Sequence, residues 1–311
     1  MKIVYMGTPD FAVEPLEALI KAGNEILLVV TQPDKERGRG KEVSFSPVKE
    51  CALKHNIPVI QPIKIRESEW VAELRKYKAD IFVVAAFGQI LSKEILDMPK
   101  FGCVNIHASL LPKYRGAAPI QWCILNGERY TGVTIQKMAE GVDTGDIISQ
   151  RSIEIESTDT GDSLFDKLMY LGADLIVDTI KEIEEGKATY TPQNEEDATH
   201  VGKITKEMGR IDFTRPADEI ERYTRGLNSW PSAFTTFNGK ILKIWSAGVS
   251  DNETNKEFEP GAVTEVTKES FLVKCSDKEL EIFEVQLEGK KRMKTHDFLL
   301  GVDLRVGMVL G

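Results

Sequence analysis

The sequence lacks the cysteine and histidine patterns that mark a disulfide framework or a structural zinc site. Its 311 residues include 4 cysteines and 4 histidines, and no two cysteines form a CxxC pair. Thiols scattered through apolar runs are typical of proteins that fold in a reducing compartment. The composition therefore predicts no structural metal and no disulfides, and we expect a cytoplasmic protein.

Long hydrophobic runs are also missing. The N-terminus starts directly with a short strand pattern, without the features of a secretory signal. No apolar run approaches the roughly 18 residues that a membrane-spanning helix needs. The net charge of -9 disfavours a general phosphate-binding surface, although it leaves room for a local basic patch. We expect a soluble monomer with no membrane partner.

A third missing feature is the glycine fingerprint of a dinucleotide site. The turn Gly7-Thr8-Pro9-Asp10 follows the first strand without a GxGxxG pattern, which disfavours NAD binding. Around this turn, residues 2–7 and 25–31 read as buried strands, and residues 11–22 have helical spacing. Residues 81–86, IFVVAA, are typical of a central parallel strand. These patterns predict an α/β fold, Rossmann-like, with a mostly parallel sheet and helices on both faces.

The pattern changes in the last third of the chain. Residues 190–205 are polar and weakly patterned, as in a linker. From residue 234 onward, short alternating runs are separated by turn residues, which predicts a small antiparallel β-barrel of the OB-like kind. We therefore predict a catalytic domain over residues 1–189, a linker over 190–205 and a C-terminal barrel domain over 206–311.

Asn105 and His107 stand at the end of a predicted strand. Side chains alternate along a strand, so both residues lie on the same face. A turn-rich loop supplies Asp143 between two glycines. An amide and an imidazole can stabilise an oxyanion, and a carboxylate can orient the imidazole. This trio indicates an acyl-transfer site, whereas the simpler interpretation of His107 is a core histidine that bonds to the backbone.

Two loops are further candidates for binding. Residues 87–91 follow the central strand at its carboxyl end, where open α/β sheets bind ligands. Residues 32–41 have no apolar period, which predicts a mobile surface loop. The basic residues of that loop could contact phosphates or could simply be solvated; they are Lys35, Arg37, Arg39 and Lys41.

Two long motifs carry a resemblance to a known family. The stretch from Asn105 to Ile120, NIHASLLPKYRGAAPI, and the loop Asp143-Thr-Gly-Asp146 resemble the two signatures of the folate-dependent formyltransferases. Residues 6–11, MGTPDF, and residues 31–34, TQPD, resemble the branch of that family that uses methionyl-tRNA. The resemblance covers essentially the whole chain, including the small β-rich C-terminal part.

The resemblance implies a reaction in translation initiation. The formyl group of 10-formyltetrahydrofolate, a co-substrate, would pass to the free α-amino group of initiator methionyl-tRNA. The implied catalytic set is Asn105, His107 and Asp143. The implied folate-binding residues are Ser109, Leu110, Leu111, Pro112, Phe87, Gly88, Gln89, Ile90 and Leu91. The implied tRNA-binding residues are Arg39, which is the leading candidate, and Lys35, Arg37 and Lys41. No metal is implied.

Three alternatives remain open at this point. A glycinamide ribonucleotide formyltransferase is typically a single domain, so the predicted barrel speaks against it. A sugar-amine formyltransferase can carry a small extra domain, and here the long basic first loop favours tRNA. A folate- or RNA-binding protein without turnover is disfavoured because Asn105, His107 and Asp143 are all present.

Overall fold

The computed structural model describes residues 1–37, 42–250 and 257–311, with side chains for all of these except residues 35–37, 42 and 43. The described chain forms two compact units. The first comprises residues 1–119, 130–154 and 165–201, and the second comprises residues 120–129, 155–164 and 202–311. The division predicted above, at residues 189 and 206, stays a prediction of where the domains separate.

The first unit is built from strands and helices that alternate along most of its length. Its strands are β1 (Lys2–Gly7), β2 (Glu25–Val30), β3 (Lys35–Arg37), β4 (Glu42–Ser44), β5 (Val59–Ile60), β6 (Ile81–Ala85), β7 (Cys103–His107), β8 (Arg115–Gly116), β9 (Tyr130–Lys137), β10 (Ile147–Glu154) and β11 (His200–Val201). The helices up to residue 184 are α1 (Val13–Lys21), α2 (Pro47–Lys54), α3 (Ser68–Lys76), α4 (Lys93–Leu96), α5 (Pro119–Leu125) and α6 (Gly161–Glu184), with short 3-10 turns at Asp10–Ala12 and Glu195–Asp197. Residues 120–125 of α5 and residues 161–164 of α6 belong to the second unit.

Seven strands form the central sheet, in the order β10-β9-β7-β6-β1-β2-β5. The pairs from β7 to β5 are parallel, whereas β9 and β10 are antiparallel to their neighbours. Because β6 and β7 are parallel neighbours, their carboxyl ends lie side by side at one edge of the sheet. The loops that leave these two ends therefore start close together.

Helices cover both faces of this sheet. On one face, buried residues of the central strands pack with α3 and α4; this cluster includes Val84, Leu74 and Ile95. On the other face, Gly172 of α6 lies against Ile106 and Val133. Strands buried on both faces are expected to be continuously apolar, which explains the composition of β1 and β6. The predicted mostly parallel α/β architecture is confirmed.

The second unit contains a six-stranded antiparallel sheet. Its strands are β12 (Ala233–Phe237), β13 (Lys240–Ser250), β14 (Val263–Val266), β15 (Phe271–Lys274), β16 (Glu279–Leu287) and β17 (Met293–Lys294), and it also holds a 3-10 turn at Glu207–Gly209 and the helices α7 (Ala217–Gly226) and α8 (Thr295–Leu300). The ladder order is β12-β13-β16-β15-β14, with β17 paired to β16. The alternating sequence pattern thus gave the correct class of structure for this region.

The tail of residues 307–311 pairs with β14 and contacts β12. Gly307 donates its N–H to the carbonyl of Val263 at 2.8 Å, and Val263 donates to Met308 at 2.8 Å. At the other end, Gly311 donates to the carbonyl of Thr236 in β12 at 3.2 Å. The tail therefore pairs along the outer edge of β14 and reaches β12 through one hydrogen bond, while residues 210 and 211 also pair with Phe234 of β12.

None of the helices in the described part of the chain combines the length and the apolar character that crossing a lipid bilayer requires.

Candidate active site

His107 ends β7 with its ring almost fully buried; the residue is 6% exposed. Its Nε2 atom lies 2.9 Å from the carbonyl oxygen of Tyr114. A carbonyl oxygen can only accept a hydrogen bond, so Nε2 carries a proton. The other ring nitrogen, Nδ1, lies 3.5 Å from Oδ1 of Asp143. A second proton on the ring would therefore point toward a carboxylate, and the positive charge would be stabilised there.

The Asp143 carboxylate is held by two further donors. The backbone N–H of Gly116 donates to Oδ2 at 2.9 Å, and Nε2 of Gln136 donates to Oδ1 at 2.8 Å. Asp143 also has a φ of +53°, in the left-handed region that residues other than glycine seldom occupy. The structure thus fixes this carboxylate by its backbone conformation and by contacts to two other segments.

Asn105 shares the face of His107, as the strand period requires. It pairs with Gln136 in the antiparallel ladder between β7 and β9 and is half-buried. No hydrogen bond joins its side-chain amide to any residue in the described ranges, so the amide is available to a bound molecule. The neighbouring Gln136 is 2% exposed, and its Oε1 atom has no partner among the described residues.

Thr134, on β9, holds the loop that follows His107. Its hydroxyl donates to the carbonyl of Ser109 at 2.6 Å and accepts from the N–H of Leu111 at 3.1 Å. Gln150 donates to the same hydroxyl at 2.9 Å and to the carbonyl of Leu111 at 2.8 Å. The loop backbone is therefore fixed by side chains of β9 and β10.

The predicted folate-binding residues in this loop differ in exposure. Ser109 is fully buried and Leu111 is 3% exposed, whereas Leu110 and Pro112 are half-buried. The Ser109 hydroxyl donates to the carbonyl of Lys113 at 2.7 Å, so it shapes the loop from within. The role of these four residues in folate binding stays a prediction.

The second predicted folate-binding loop leaves the carboxyl end of β6. Phe87 and Leu91 are buried in the core cluster of this face, while Gly88 is exposed and Ile90 is 70% exposed. The Gln89 side chain is used for anchoring: Oε1 accepts from the N–H of Ile65 at 2.7 Å, and Nε2 donates to Pro62 at 2.9 Å. Gly88 and Ile90 are therefore the members that present surface to a ligand.

The first basic loop begins and ends in a short antiparallel ribbon, β3 with β4. Lys35 and Arg37 are described by their backbone alone, and Arg39 and Lys41 lie outside the described residues. At the base of the ribbon, Lys49 donates to Asp34 at 2.5 Å, and this bond lowers the pKa of the Asp34 carboxyl. Tertiary contacts therefore hold the ribbon's base.

One group of possible metal ligands exists away from this site. Glu17, Cys51 and His55 bring their ligand atoms within 4.8 Å of one another. The thiol donates to the carboxylate at 3.3 Å and the ring nitrogen lies 3.0 Å from it, so the three groups already satisfy one another. Burial, with the nearby Glu17, raises the pKa of Cys51 to about 12, which is far from the thiolate that binds metals.

Two glycines allow the loops of the site to approach closely. A Cβ atom on Gly116, whose φ is +103°, would lie 2.5 Å from the carbonyl oxygen of Val201. A Cβ atom on Gly145 would overlap the carbonyl oxygen of Lys137. Both positions therefore require glycine, and both lie beside the segments that hold the Asp143 carboxylate.

Comparison with known proteins identifies the family. Residues 1–180 match the formyl transferase family, and residues 203–303 match the formyl transferase C-terminal domain. A methionyl-tRNA formyltransferase from Agathobacter rectalis is 57% identical over 307 residues, covering 99% of this chain and 98% of the relative. The chain belongs to the methionyl-tRNA formyltransferase family. The methionyl-tRNA formyltransferase of Clostridioides difficile is 48% identical over 311 residues, and all of both chains is covered.

Solved structures share the fold of this methionyl-tRNA formyltransferase family member at lower identity. WlaRD, a sugar 3N-formyl transferase crystallised with dTDP and 5-N-formyl-THF, is 22% identical with a TM-score of 0.67, covering 94% of this chain and 99% of its own. HypX from Aquifex aeolicus, in complex with tetrahydrofolic acid, is 18% identical with a TM-score of 0.65; the match covers 97% of this chain and 47% of HypX. The chain thus spans about half the length of HypX.

Several residues that hold the catalytic side chains of this methionyl-tRNA formyltransferase family member in place were not predicted from the sequence. Gln136 could have been found, because it lies two residues from Thr134 on one face of a predicted strand. Gln193 and Glu195 lie in the stretch interpreted as a polar linker. That stretch has no hydrophobic period that could have indicated their positions. Both contact Arg115, whose guanidinium is 1% exposed. The three predicted catalytic residues do lie at one edge of the sheet.

Proposed function

We propose that this protein transfers the formyl group of 10-formyltetrahydrofolate to the free α-amino group of initiator methionyl-tRNA. The products are N-formylmethionyl-tRNA, used in translation initiation, and tetrahydrofolate. The observation that carries the proposal is the 3.5 Å approach of His107 to Asp143 in a chain whose full length matches methionyl-tRNA formyltransferases. The reaction belongs in the cytoplasm, where charged tRNA is used.

The chemistry assigned to the site is an acyl transfer from nitrogen to nitrogen. The neutral amine of the methionyl group attacks the formyl carbon, and a new C–N bond forms. The carbonyl oxygen then becomes negative in a tetrahedral intermediate. Collapse of that intermediate breaks the bond between the formyl carbon and N10 of the folate. The amine proton passes to that leaving nitrogen, so protons balance.

Asn105 and His107 are suited to stabilise the oxyanion. The Asn105 amide has no other partner among the described residues, and the ring of His107 lies on the same face. A donor placed at a developing oxyanion typically contributes about 3 kcal/mol to lowering the barrier. We assign the oxyanion to these two groups together. Both ring nitrogens of His107 face protein acceptors, so a protonated ring would act on the oxyanion through its positive charge, and the Asn105 amide would donate the hydrogen bond.

Asp143 is assigned two tasks. Its carboxylate balances the positive charge of the His107 ring, from which it lies 3.5 Å away. It can also accept the amine proton, directly or through water, and release it toward N10. Gly116 and Gln136 hold the carboxylate in place for both tasks. The protein groups supply acid–base and electrostatic catalysis, while the folate carries the activated one-carbon unit.

The folate is assigned to the two loops at the carboxyl ends of β6 and β7. Residues 109–112 follow the catalytic strand, and residues 87–91 follow its parallel neighbour. Ligands of open α/β sheets bind at this edge. Support comes from the structural neighbours, because WlaRD was crystallised with 5-N-formyl-THF and HypX with tetrahydrofolic acid.

The tRNA is assigned to the first basic loop, with Arg39 as its leading contact and Lys35, Arg37 and Lys41 beside it. An arginine can hold a phosphate or a base edge with paired hydrogen bonds. The ribbon β3–β4 presents this loop from a base fixed by Lys49 and Asp34. Contact between these residues and tRNA is a proposal, as is the monomeric state.

The deciding experiment compares acceptors for one donor. Purified protein is given 10-formyltetrahydrofolate with initiator methionyl-tRNA, elongator methionyl-tRNA or amino-sugar nucleotides in parallel. We expect formylation of the initiator species at a kcat/KM far above the other two. Preferential formylation of an amino sugar would overturn the proposal in favour of the sugar-amine alternative. Binding of folate and tRNA without any turnover would favour the non-catalytic alternative.

A further inference from the structure

Residues 190–201 lie against the loops of the site at both ends. Thr191 exchanges backbone hydrogen bonds with Ile147 at 2.8 and 2.9 Å. At the other end, His200–Val201 forms a parallel pair with Arg115–Gly116. The polar residues between these two anchors are therefore held at fixed positions beside the site.

Gln193 lies between the two anchors, and both the nitrogen and the oxygen of its side-chain amide form hydrogen bonds. Its Nε2 donates to the carbonyl of Asp143 at 2.9 Å and to that of Gly145 at 2.7 Å. Its Oε1 accepts from Nε of Arg115 at 3.0 Å. A primary amide has two N–H donors and one carbonyl acceptor, so this one side chain links the Asp143 loop to the loop that follows His107.

The orientation of the Gln193 amide is set by Arg115. The Arg115 guanidinium is 1% exposed and forms paired hydrogen bonds to the Glu195 carboxylate at 2.8 and 2.9 Å. The Nε–H of Arg115 can only donate, so it faces the amide oxygen of Gln193. The NH2 group of Gln193 is then free to donate to the two carbonyls. Arg115, Glu195 and Gln193 therefore form one connected network.

Of the two carbonyls that Gln193 holds, one belongs to the catalytic acid itself and the other to Gly145, two residues later. Asp143 has a φ of +53°, which persists only where surrounding contacts enforce it. Donation to the Asp143 carbonyl and to that of Gly145 does so from outside the loop. The carboxylate then reaches Gly116 and Gln136, with Oδ1 placed 3.5 Å from the His107 ring.

We propose that Gln193 is a positioning residue for the formyl transfer, acting through the backbone of the Asp143 loop. This inference rests on the proposed function, because it assigns Asp143 to that reaction. Gln193 touches neither His107 nor the carboxylate of Asp143 among its hydrogen bonds, so its effect must pass through loop geometry. A displacement of a catalytic group by about 1 Å can reduce a rate by about 100-fold.

Two substitutions separate the contacts of Gln193. Gln193→Ala removes all three hydrogen bonds. Gln193→Glu keeps the size and the acceptor for Arg115 but loses both donors to the carbonyls. We expect each variant to lower kcat by about 10- to 100-fold while KM for both substrates changes less than about threefold. Glu196→Ala is the matched control, since this nearby side chain is exposed and forms no hydrogen bond or ion pair among the described residues.

A double variant tests whether the effect passes through Asp143. If it does, Gln193→Ala should lower the rate of an Asp143→Asn enzyme by less than about threefold, because the group it positions is already lost. An equal fold-change in both backgrounds would overturn the inference, as would a Gln193→Glu enzyme with an undiminished kcat. Thermal melts of all variants identify any loss of folding. Inactivity of the unsubstituted enzyme toward methionyl-tRNA would instead overturn the proposed function.

Discussion

Nδ1 of His107 lies 3.5 Å from Oδ1 of Asp143, on the ring edge away from the Tyr114 carbonyl. The ring is thus held at Nε2 by a neutral acceptor and is approached at Nδ1 by a charged one. This arrangement gives each ring nitrogen an acceptor and fixes the orientation of the ring.

Removal of the imidazole tests that assignment. We expect His107→Ala to lower kcat for formylation by at least about 100-fold, because the positive charge assigned to the ring beside the oxyanion is lost. The circular dichroism spectrum should be unchanged. His296→Ala, at a histidine of the second unit whose side chain is 43% exposed, serves as the control and should keep full activity. A normally folded His107→Ala enzyme with normal kcat would exclude the mechanism.

The hydroxyl of Thr134 offers a test of the loop over residues 109–112. Thr134→Val preserves shape but leaves the Ser109 carbonyl and the Leu111 N–H without their partner. We expect a loss of about 2 kcal/mol in the free energy of unfolding and a raised KM for the folate. The matched control is Thr235→Val, since the hydroxyl of Thr235 is buried without a partner in the described ranges. Denaturant titration should show no loss for the control. Equal losses for both variants would contradict the role given to Thr134.

The close approach at Gly145 leads to a stability prediction. A methyl group there would overlap the Lys137 carbonyl, which lies at the end of a sheet strand and cannot easily move. We expect Gly145→Ala to cost more than about 2 kcal/mol in the free energy of unfolding, with loss of activity. Gly202→Ala is the control, because its Cβ would meet nothing within 4 Å. A fully stable and active Gly145→Ala enzyme would show that the loop has another accessible conformation.

The Arg115–Glu195 pair predicts a pH dependence of stability. Hydrogen bonds from Arg115 hold the pKa of the Glu195 carboxyl below its ordinary value of 4.5. A carboxyl with a lowered pKa in the folded state contributes stability above its unfolded pKa, and the contribution is lost as the pH falls through the folded value. We therefore expect the unsubstituted protein to melt a few degrees above Glu195→Gln at neutral pH.

That difference in melting temperature should shrink as the pH falls below 4.5 and through the lowered pKa of the folded state, below which the carboxylate is protonated in both states. Melting curves of the two proteins, recorded side by side across this range, measure it. A difference that stays constant with pH would mean that the substitution acts through packing and not through charge.

Arg39 is the test of the tRNA loop. We expect Arg39→Ala to raise KM for methionyl-tRNA by about tenfold, corresponding to the loss of one charge-assisted contact, while folate binding is unchanged. Lys54→Ala, which removes an exposed charge at the end of α2, controls for general electrostatics. Steady-state kinetics with each substrate varied in turn would separate the two effects. Lost folate binding in the Arg39 variant would make the loop assignment wrong.

The fold of the first unit was accessible from sequence because its strands are buried on both faces. Continuous apolar runs such as residues 81–86 have few other interpretations in a chain that also shows helical periods. The same-face placement of Asn105 and His107 followed from the two-residue strand period. Asp143 was found as a carboxylate between glycines, together with the family resemblance.

The supporting residues of the site were not accessible in the same way. Gln193 bonds to backbone carbonyls, and carbonyl groups are present at every position of a sequence. Arg115 is buried through a pairing with Glu195 that lies far away along the chain, and no local pattern indicates such a pair. Residues 190–201 were therefore interpreted from their polarity alone, although their contacts fix them against the catalytic loops.

The tail over residues 307–311 has a consequence for synthesis of the protein. During translation, every strand of the second unit leaves the ribosome before the segment that pairs with β14. Until then, the outer edge of β14 exposes unpaired N–H and carbonyl groups to other nascent chains. The nascent barrel thus passes through an interval in which it is prone to association, and that interval lasts until these few residues emerge from the exit tunnel.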